Sequence, residues 1–450
     1  MPRNTPPRFR KTLLALAAGA ALAPFSAWAL DLAQSPPGTV EPYVRPNVIL
    51  SLDDSTSMDG GMNSTSGTYL GTRREVLKKA VKDTFSDTTL LPDGKIRLAW
   101  QSMNECTSLD GSRAGNLLTA ADATATTSSK VNLLRIYEGT HRDTFTRYID
   151  AFRTQNQSGW SCNSGTYTHS LMKATDAYMR ADTHENGPWS GNPGGSDTAS
   201  TKYLGCRRNY HIVLTDGGWN SGMADTTPKN YDGARSNWPS NIPAATDAQT
   251  QLYRDNSETY SSIADWAFMG WAKPLRPASD LEGTVEPAKD YRVAPATETF
   301  ENRVSKTTAT LDRYWNPRYN PATWAHLVTF TIGFSEDALP KKNYRLSGTS
   351  HDYVDNITNP TSLLPYGYDG NFADYANGTY RWRASKDKGH DMWHAALNSR
   401  GQFYAVEKGE DLKKAFQQII GNINTATDPD LSASATSGSN VSRSDVGKYT

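Results

Sequence analysis

The sequence predicts an α/β fold: a doubly wound, mostly parallel six-stranded sheet with helices on both faces and large loop insertions. Three observations carry this expectation. Short apolar runs recur along the chain and alternate with stretches of helical periodicity. The runs, such as Val48-Ile49-Leu50-Ser51-Leu52 and Leu327 to Gly333, are near-continuous, the pattern of strands buried on both faces. Between them lie long polar stretches rich in Gly, Ser, Thr, Asn and Asp, which suit loops rather than core.

The 450 residues leave room for two to three average domains, or for one large decorated domain with tails. Apolar residues make up 37% and charged residues 21%, with 12 Trp and 22 Tyr, enough for a core if the loops are long and polar. Lys plus Arg and Asp plus Glu both total 47. With zero net charge there is no field of one sign to gather nucleic acid or coat an acidic membrane, and neither is expected as a partner.

The first 29 residues have the form of a signal peptide. Arg3, Arg8, Arg10 and Lys11 make a basic start, Leu13 to Ala23 an apolar core, and Ala27-Trp28-Ala29 an A-x-A cleavage site. The apolar core is about half the length of a membrane span, so no span is expected after cleavage. The expected product is exported and starts at Leu30.

Residues 30–46, with Pro36, Pro37, Pro42 and Pro46, read as an extended lead-in. The first strand follows from Val48 to Leu52. A helix begins near Thr72, with Val76, Leu77, Ala80, Val81 and Phe85 on one face. Ile96 to Met103 is the second strand and Val131 to Tyr137 the third. Phe145, Tyr148, Ile149 and Phe152 mark a helix between Thr140 and Thr154, and Leu171, Met172, Ala174 and Tyr178 mark the next. Residues 182–202 read as a mobile loop. Tyr210 to Leu214 is a fourth strand, followed by a polar insertion from Gly218 to Asn256, a helix around Tyr260 to Ala272 and an irregular Pro-containing segment. Leu327 to Gly333 is the fifth strand, Asp391 to Leu397 a short helix, Gln402 to Val406 the last strand and Glu410 to Ile420 an amphipathic helix. The predicted domain therefore spans 47–424 with insertions at about 182–208, 218–322 and 335–388. Residues 425–450 read as a polar linker toward a missing carboxy-terminal domain.

A candidate site lies directly after the first strand. Asp53-Asp54-Ser55-Thr56-Ser57 has the form D-x-S-x-S and puts a carboxylate and two hydroxyls on the turn leaving the sheet. In a chain of this length the three fixed letters alone would arise in roughly one case in ten, so their position carries the argument. Asp216 ends the fourth strand, and Thr166 stands on the loop expected beside both. In an open parallel sheet ligands bind beyond the carboxyl ends of the strands, where the strand order reverses. Asp53, Ser55, Ser57, Thr166 and Asp216 form an all-oxygen set suited to Mg²⁺ or Ca²⁺ and poorly suited to zinc. Neutral hydroxyls leave much of the ion's charge uncompensated, so an acidic group from a partner would complete the shell.

The D-x-S-x-S at 53–57, Thr166 and Thr215-Asp216-Gly217 together resemble the metal-ion-dependent adhesion site of von Willebrand factor A domains. That resemblance implies that Ser55, Ser57 and Thr166 contact the metal directly and that Asp53 and Asp216 do so directly or through water. Asp54 and Thr56 depart from the commoner residues of the motif, and Asp54 is expected to sit in solvent. Cys206, Tyr210 to Asn220, Ile263-Ala264-Asp265 to Trp271, Pro321 to Trp324 leading into Thr329 to Phe334, and Met392 to Ala396 resemble the amino-terminal region of the PilY/PilC family. The resemblance spans about residues 45–424. It implies an exported factor for type IV pilus assembly or tip adhesion, in the periplasm and then at the pilus tip, on the outer membrane surface or secreted. Its partners would be pilus minor subunits or a host or surface ligand. Family members usually continue into a carboxy-terminal β-propeller, and the tail from Thr425 resembles the approach to it.

Two catalytic readings compete with this. Haloacid-dehalogenase-like phosphotransferases or hydrolases also place a nucleophilic Asp after strand one and a Thr or Ser after a later strand, parts open to Asp53 and Thr215. That chemistry needs a second acid two residues on, where Ser55 stands. His390-Asp391-Met392-Trp393-His394 is a near miss to the H-E-x-x-H zinc helix, with a shorter acid and no clear third ligand. A helix start with Asp391 near its N-terminus and Trp393 in the core accounts for it better. The chain is therefore read as non-enzymatic. Of three cysteines, Cys106 follows strand two and Cys162 lies just before Thr166, so both belong near the metal-bearing edge; Cys206 precedes strand four. A Cys106–Cys162 bridge without Cys206 is expected.

Overall fold

β1 (Asn47–Leu52) is the centre of a six-stranded sheet, and all of its residues are buried. The computed structural model describes residues 43–427 except 126–129, 158–161, 164, 194–202, 218–227, 234, 255–260, 302–305, 307, 336–337 and 340–387. The predicted signal peptide and most of the lead-in and polar tail lie outside the described residues. Among the described residues no helix is long and apolar enough to cross a membrane.

β1 pairs in parallel with both β2 (Arg97–Ser102) and β4 (Asn209–Thr215), with Leu52 level with Ser102 on one side and Leu214 on the other. β5 (Leu327–Phe334) continues the parallel set beside β4, and β6 (Phe403–Val406) beside β5. β3 (Arg135–Ile136) closes the other edge, antiparallel to β2. The order is β6-β5-β4-β1-β2-β3, so the reversal falls between β1 and β4, where the sequence placed it.

Alternation along the strands divides the core into two layers. Val48, Leu50 and Leu52 pack with α1 (Arg73–Phe85), α2 (Gly139–Ala151) and α6 (Gly409–Thr427). Ile49, Ala99 and Val213 face the other side, which is covered by α3 (Thr168–Met179), α4 (Ile263–Ala272) and α5 (Lys388–Asn398). α1 starts on a capping box: Thr72 Oγ1 accepts from Glu75 N at 3.2 Å while the Glu75 carboxylate accepts from Thr72 N at 2.8 Å. Gly71 takes φ +115°, and a Cβ there would meet the Glu75 carboxylate at 2.8 Å, so only glycine leads into this cap.

A buried polar network holds α3 to the sheet. Gln101 Nε2 donates to Ser51 Oγ at 2.8 Å, Thr175 Oγ1 at 3.0 Å and the Leu171 carbonyl at 3.0 Å, while its Oε1 accepts from Leu118 N at 3.0 Å. His211 Nε2 lies 2.7 Å from Ser51 Oγ. Because α3 begins just after Thr166, this network also sets the height of that residue's loop. Gln101→Leu should leave the Leu118 amide unpaired and cost about 1–3 kcal/mol in urea denaturation.

Four sequence expectations change. The third strand is only Arg135–Ile136, because Leu133 and Leu134 bury in the same cluster, which strand alternation forbids, and the Asn132 side chain takes up the Trp100 carbonyl at 2.5 Å. The stretch expected to be a mobile loop is packed as far as it is described. Trp189 is fully buried with its indole N–H on the Met179 carbonyl at 3.1 Å, and Arg97 donates to the carbonyls of Pro188 and Ser190. The irregular Pro-containing segment includes an antiparallel pair, Thr297–Glu301 with Thr308–Asp312. α6 runs to Thr427, seven residues past its expected end at Ile420, because Ile423 still buries and Asn424 donates to the Leu90 carbonyl at 2.9 Å.

The His390–His394 segment is structural. Asp391, on the first turn of α5, accepts from the backbone N–H groups of Ala264 at 3.0 Å and Ile263 at 3.2 Å, so it caps α4. Both histidines are fully buried and Trp393 is in the core.

Candidate metal centre

The chain leaves β1 at Leu52 and passes at once into Asp53, whose carboxylate is fully buried. Its oxygens are already directed: Oδ1 accepts from Ser55 N at 2.8 Å, and Oδ2 accepts from Thr215 Oγ1 at 2.6 Å. The first contact folds the loop back on itself, as an Asx turn does. The second ties the end of β1 to the end of β4, its neighbour in the sheet.

This turn brings Ser55 Oγ within 2.9 Å of Ser57 Oγ, and Ser57 Oγ donates to Asp216 Oδ1 at 2.8 Å. Four of the five predicted residues are thus linked side by side at the carboxyl end of the sheet. Gly217, at φ +91°, lets the chain turn away directly after Asp216, and Ser335 Oγ holds the Asp216 carbonyl at 2.6 Å. Thr166, the fifth, is buried on the separate loop that precedes α3.

Burial, then the neighbouring Asp53 charge, push the Asp216 carboxyl up to about 7, while Arg73 and Ser57 pull it back. Arg73 Nη1 lies 2.7 Å from Asp216 Oδ2. Sequence reasoning missed this arginine; it stands at the expected start of the helix near Thr72, but nothing in local pattern aims it across 143 positions at Asp216.

Asp54 is a correction. It is fully buried rather than in solvent, and accepts from the N–H groups of Asn104 at 2.7 Å and Cys106 at 3.0 Å. Burial pushes its carboxyl up to about 7 against the pull of those two amides. The Asp at this position therefore organises the loop after β2. That loop is in turn joined to the Thr166 loop by the Cys106–Cys162 disulfide, by Asn163 N on the Asn104 carbonyl at 3.1 Å and by Asn104 Nδ2 on the Gly165 carbonyl at 2.8 Å. The bridge is the expected one; Cys206, half-buried ahead of β4, takes no part in it.

The donor set fits a small hard cation. Among the described residues no group of three or more His, Cys, Asp and Glu side chains gathers at one point, so a metal here must rely on hydroxyls. Adjacent ligands of an octahedral Mg²⁺ at about 2.0–2.1 Å stand about 2.8–3.0 Å apart. The Ser55–Ser57 oxygen separation of 2.9 Å matches that edge. Because Ser57 gives its proton to Asp216, it accepts from Ser55 and keeps one lone pair available to a cation.

No family model matches the chain. Among curated proteins it is similar to the type IV pilus biogenesis factor PilY1 of Pseudomonas aeruginosa strain PAO1, at 30% identity over 342 residues, and to the PilY1 proteins of strains PAK and UCBPP-PA14, at 29% and 26%. Each match covers 73–74% of this chain and 23% of the relative, so the chain spans about a quarter of the length of the proteins it matches. A solved structure, that of an uncharacterized membrane spanning protein from Vibrio fischeri, aligns with a TM-score of 0.19 at 11% identity over 84% of this chain and 98% of that one, which supports no argument about fold. The likeness to the three pilus factors runs through most of the chain at once, and on that ground the chain belongs to the PilY/PilC family.

Proposed function

We propose that residues 47–427 form a doubly wound von Willebrand factor A-like domain. In this reading it is a non-enzymatic, exported module of type IV pilus assembly or tip adhesion that binds partners through a metal-ion-dependent adhesion site. The observation that carries the reading is the linked row Asp53, Ser55, Ser57 and Asp216 at the strand-order reversal, with its 2.9 Å hydroxyl pair. Ser55, Ser57 and Thr166 are the direct ligands, and Asp53 and Asp216 supply charge directly or through water. A bound divalent cation offers a Lewis-acidic position to an acidic oxygen of the partner, a pilus minor subunit or a surface ligand. The protein's own part is to hold the hydroxyls in place: Asp53 orients Ser55, Asp216 orients Ser57, and Asp54 with the disulfide positions the Thr166 loop.

Thermal and urea unfolding with and without MgCl₂ or CaCl₂ test this. At one hundred times Kd a cation that binds only the folded state adds about 2.7 kcal/mol. That increment should vanish in Asp53→Ala/Ser55→Ala, together with cation-dependent binding of the partner. Cation-independent stability in the parent, or phosphoester turnover abolished by Asp53→Ala alone, would overturn the reading.

A further inference from the structure

Resting on the metal-site reading, we propose that Arg73 is a tethered internal cation that competes with the divalent ion for Asp216 and so sets how tightly the site binds metal. Both oxygens of Asp216 are engaged, Oδ1 by the Ser57 hydroxyl and Oδ2 by Arg73 Nη1 at 2.7 Å. The Asp216 side chain is fully buried, while that of Arg73 is 20% exposed.

Arg73 is placed there by its backbone. It is the first residue of α1, directly after the Thr72 cap, and its N–H donates to the Gly60 carbonyl at 2.8 Å, which fastens the helix start to the end of the metal-bearing loop. The next residue, Arg74, is spent elsewhere, on Asp59 at 3.5 Å. Arg73 Nε makes no hydrogen bond among the described residues, so the ion pair with Asp216 is the anchor that holds the guanidinium in place.

Electrostatics gives the direction of the effect. Asp53 and Asp216 are buried carboxylates on neighbouring strand ends, and without a counter-charge their repulsion would open the site. Arg73 supplies that charge in the metal-free protein and keeps the loops preformed. An entering divalent cation takes over the same role, at the expense of the Arg73 pair. Metal binding is therefore coupled to release of Arg73, and the chain has a lower affinity than its ligand set alone would confer. Arg73 is a positioning residue in this account, not a ligand.

Isothermal titration of the full chain with MgCl₂ compares the parent with Arg73→Met and Arg73→Lys. Arg73→Met should bind Mg²⁺ at least about tenfold more tightly, the equivalent of roughly 1.4 kcal/mol, while melting lower than the parent in EDTA. Arg73→Lys, which keeps the charge, should stay near the parent on both counts. In an Asp216→Asn background the gain from Arg73→Met should disappear, because the two residues act on one another. Equal or weaker Mg²⁺ binding by Arg73→Met, with the parent binding normally, would overturn the role of Arg73 and leave the metal site standing. Absence of Mg²⁺ and Ca²⁺ binding in parent and variants alike would remove the site itself, and the inference with it.

Discussion

Cys106→Ser/Cys162→Ser is expected to lower the stability of the domain by about 4 kcal/mol, because the bridge closes a loop of 56 residues and removes that much freedom from the unfolded chain. The Cα–Cα distance of 5.1 Å lies within the range such bridges ordinarily span. Urea denaturation of the oxidised, reduced and double-serine proteins measures the cost. Reduced and double-serine proteins should agree, and both should fall below the oxidised form. Coincident transitions would sink the prediction. The loss should also be uneven across the molecule. The Thr166 loop keeps its contacts to Asn104, Asn163 N on the Asn104 carbonyl and Asn104 Nδ2 on the Gly165 carbonyl, whereas β1, β2 and β4 keep their full ladders. Backbone amides around Gly165 to Tyr167 should then exchange with solvent sooner than those of the central strands.

Most of the sheet was legible because its strands are buried on both faces and so read as unbroken apolar runs. β1, β2, β4 and β5 were each placed within a residue or two. The α1 start near Thr72 was readable from the apolar face of Val76, Leu77, Ala80, Val81 and Phe85, and the Thr72–Glu75 capping box fixes it in the structure. β3 failed for the converse reason: an apolar run can be buried without being a strand, and Leu133 and Leu134 bury as a kinked segment beside Trp100. Trp189 shows the same limit, since a single indole anchored on the Met179 carbonyl fixes a stretch whose composition is that of a loop.

At the site, the residues that carry the motif were visible and the residues that support them were not. Asp53, Ser55, Ser57 and Asp216 lie at strand ends whose order the α/β pattern implies. Arg73 and Asn104 reach the site, or the loops that frame it, through contacts that no local spacing encodes. Asp54 was misread because a carboxylate at a turn is ordinarily solvated. Here two backbone amides compensate its burial, and amides carry no sequence signal.

The same physics makes Asp391 the source of a measurable pH dependence. Burial raises its carboxyl from the ordinary 3.8 to about 7, while the Ala264 and Ile263 amides and Lys388 pull it down and Asp265 adds to the rise. Between those two values the folded protein holds a proton that the unfolded chain has released, so this residue's contribution is full below the lower value and is lost as pH rises through about 7. His141, His211 and His326 act in the opposite sense. Burial lowers them from 6.5 to about 4, 3 and 4, so their contribution is present above 6.5 and is lost as pH falls toward those values. In the parent the two trends oppose one another over the acid range, so its own stability profile isolates neither. Asp391→Asn separates them. At pH 5 it should cost about 1 kcal/mol, because an amide nitrogen cannot accept the second backbone N–H of the α4 cap. From pH 5 to pH 8 the variant should gain on the parent by roughly 3 kcal/mol, since it no longer carries a group that must ionise in the core. The histidines are common to both proteins and cancel in the difference. Urea unfolding of the two proteins at pH 5 and pH 8 reads that difference directly, and an equal gap at both values would show that Asp391 is charged in the folded state throughout.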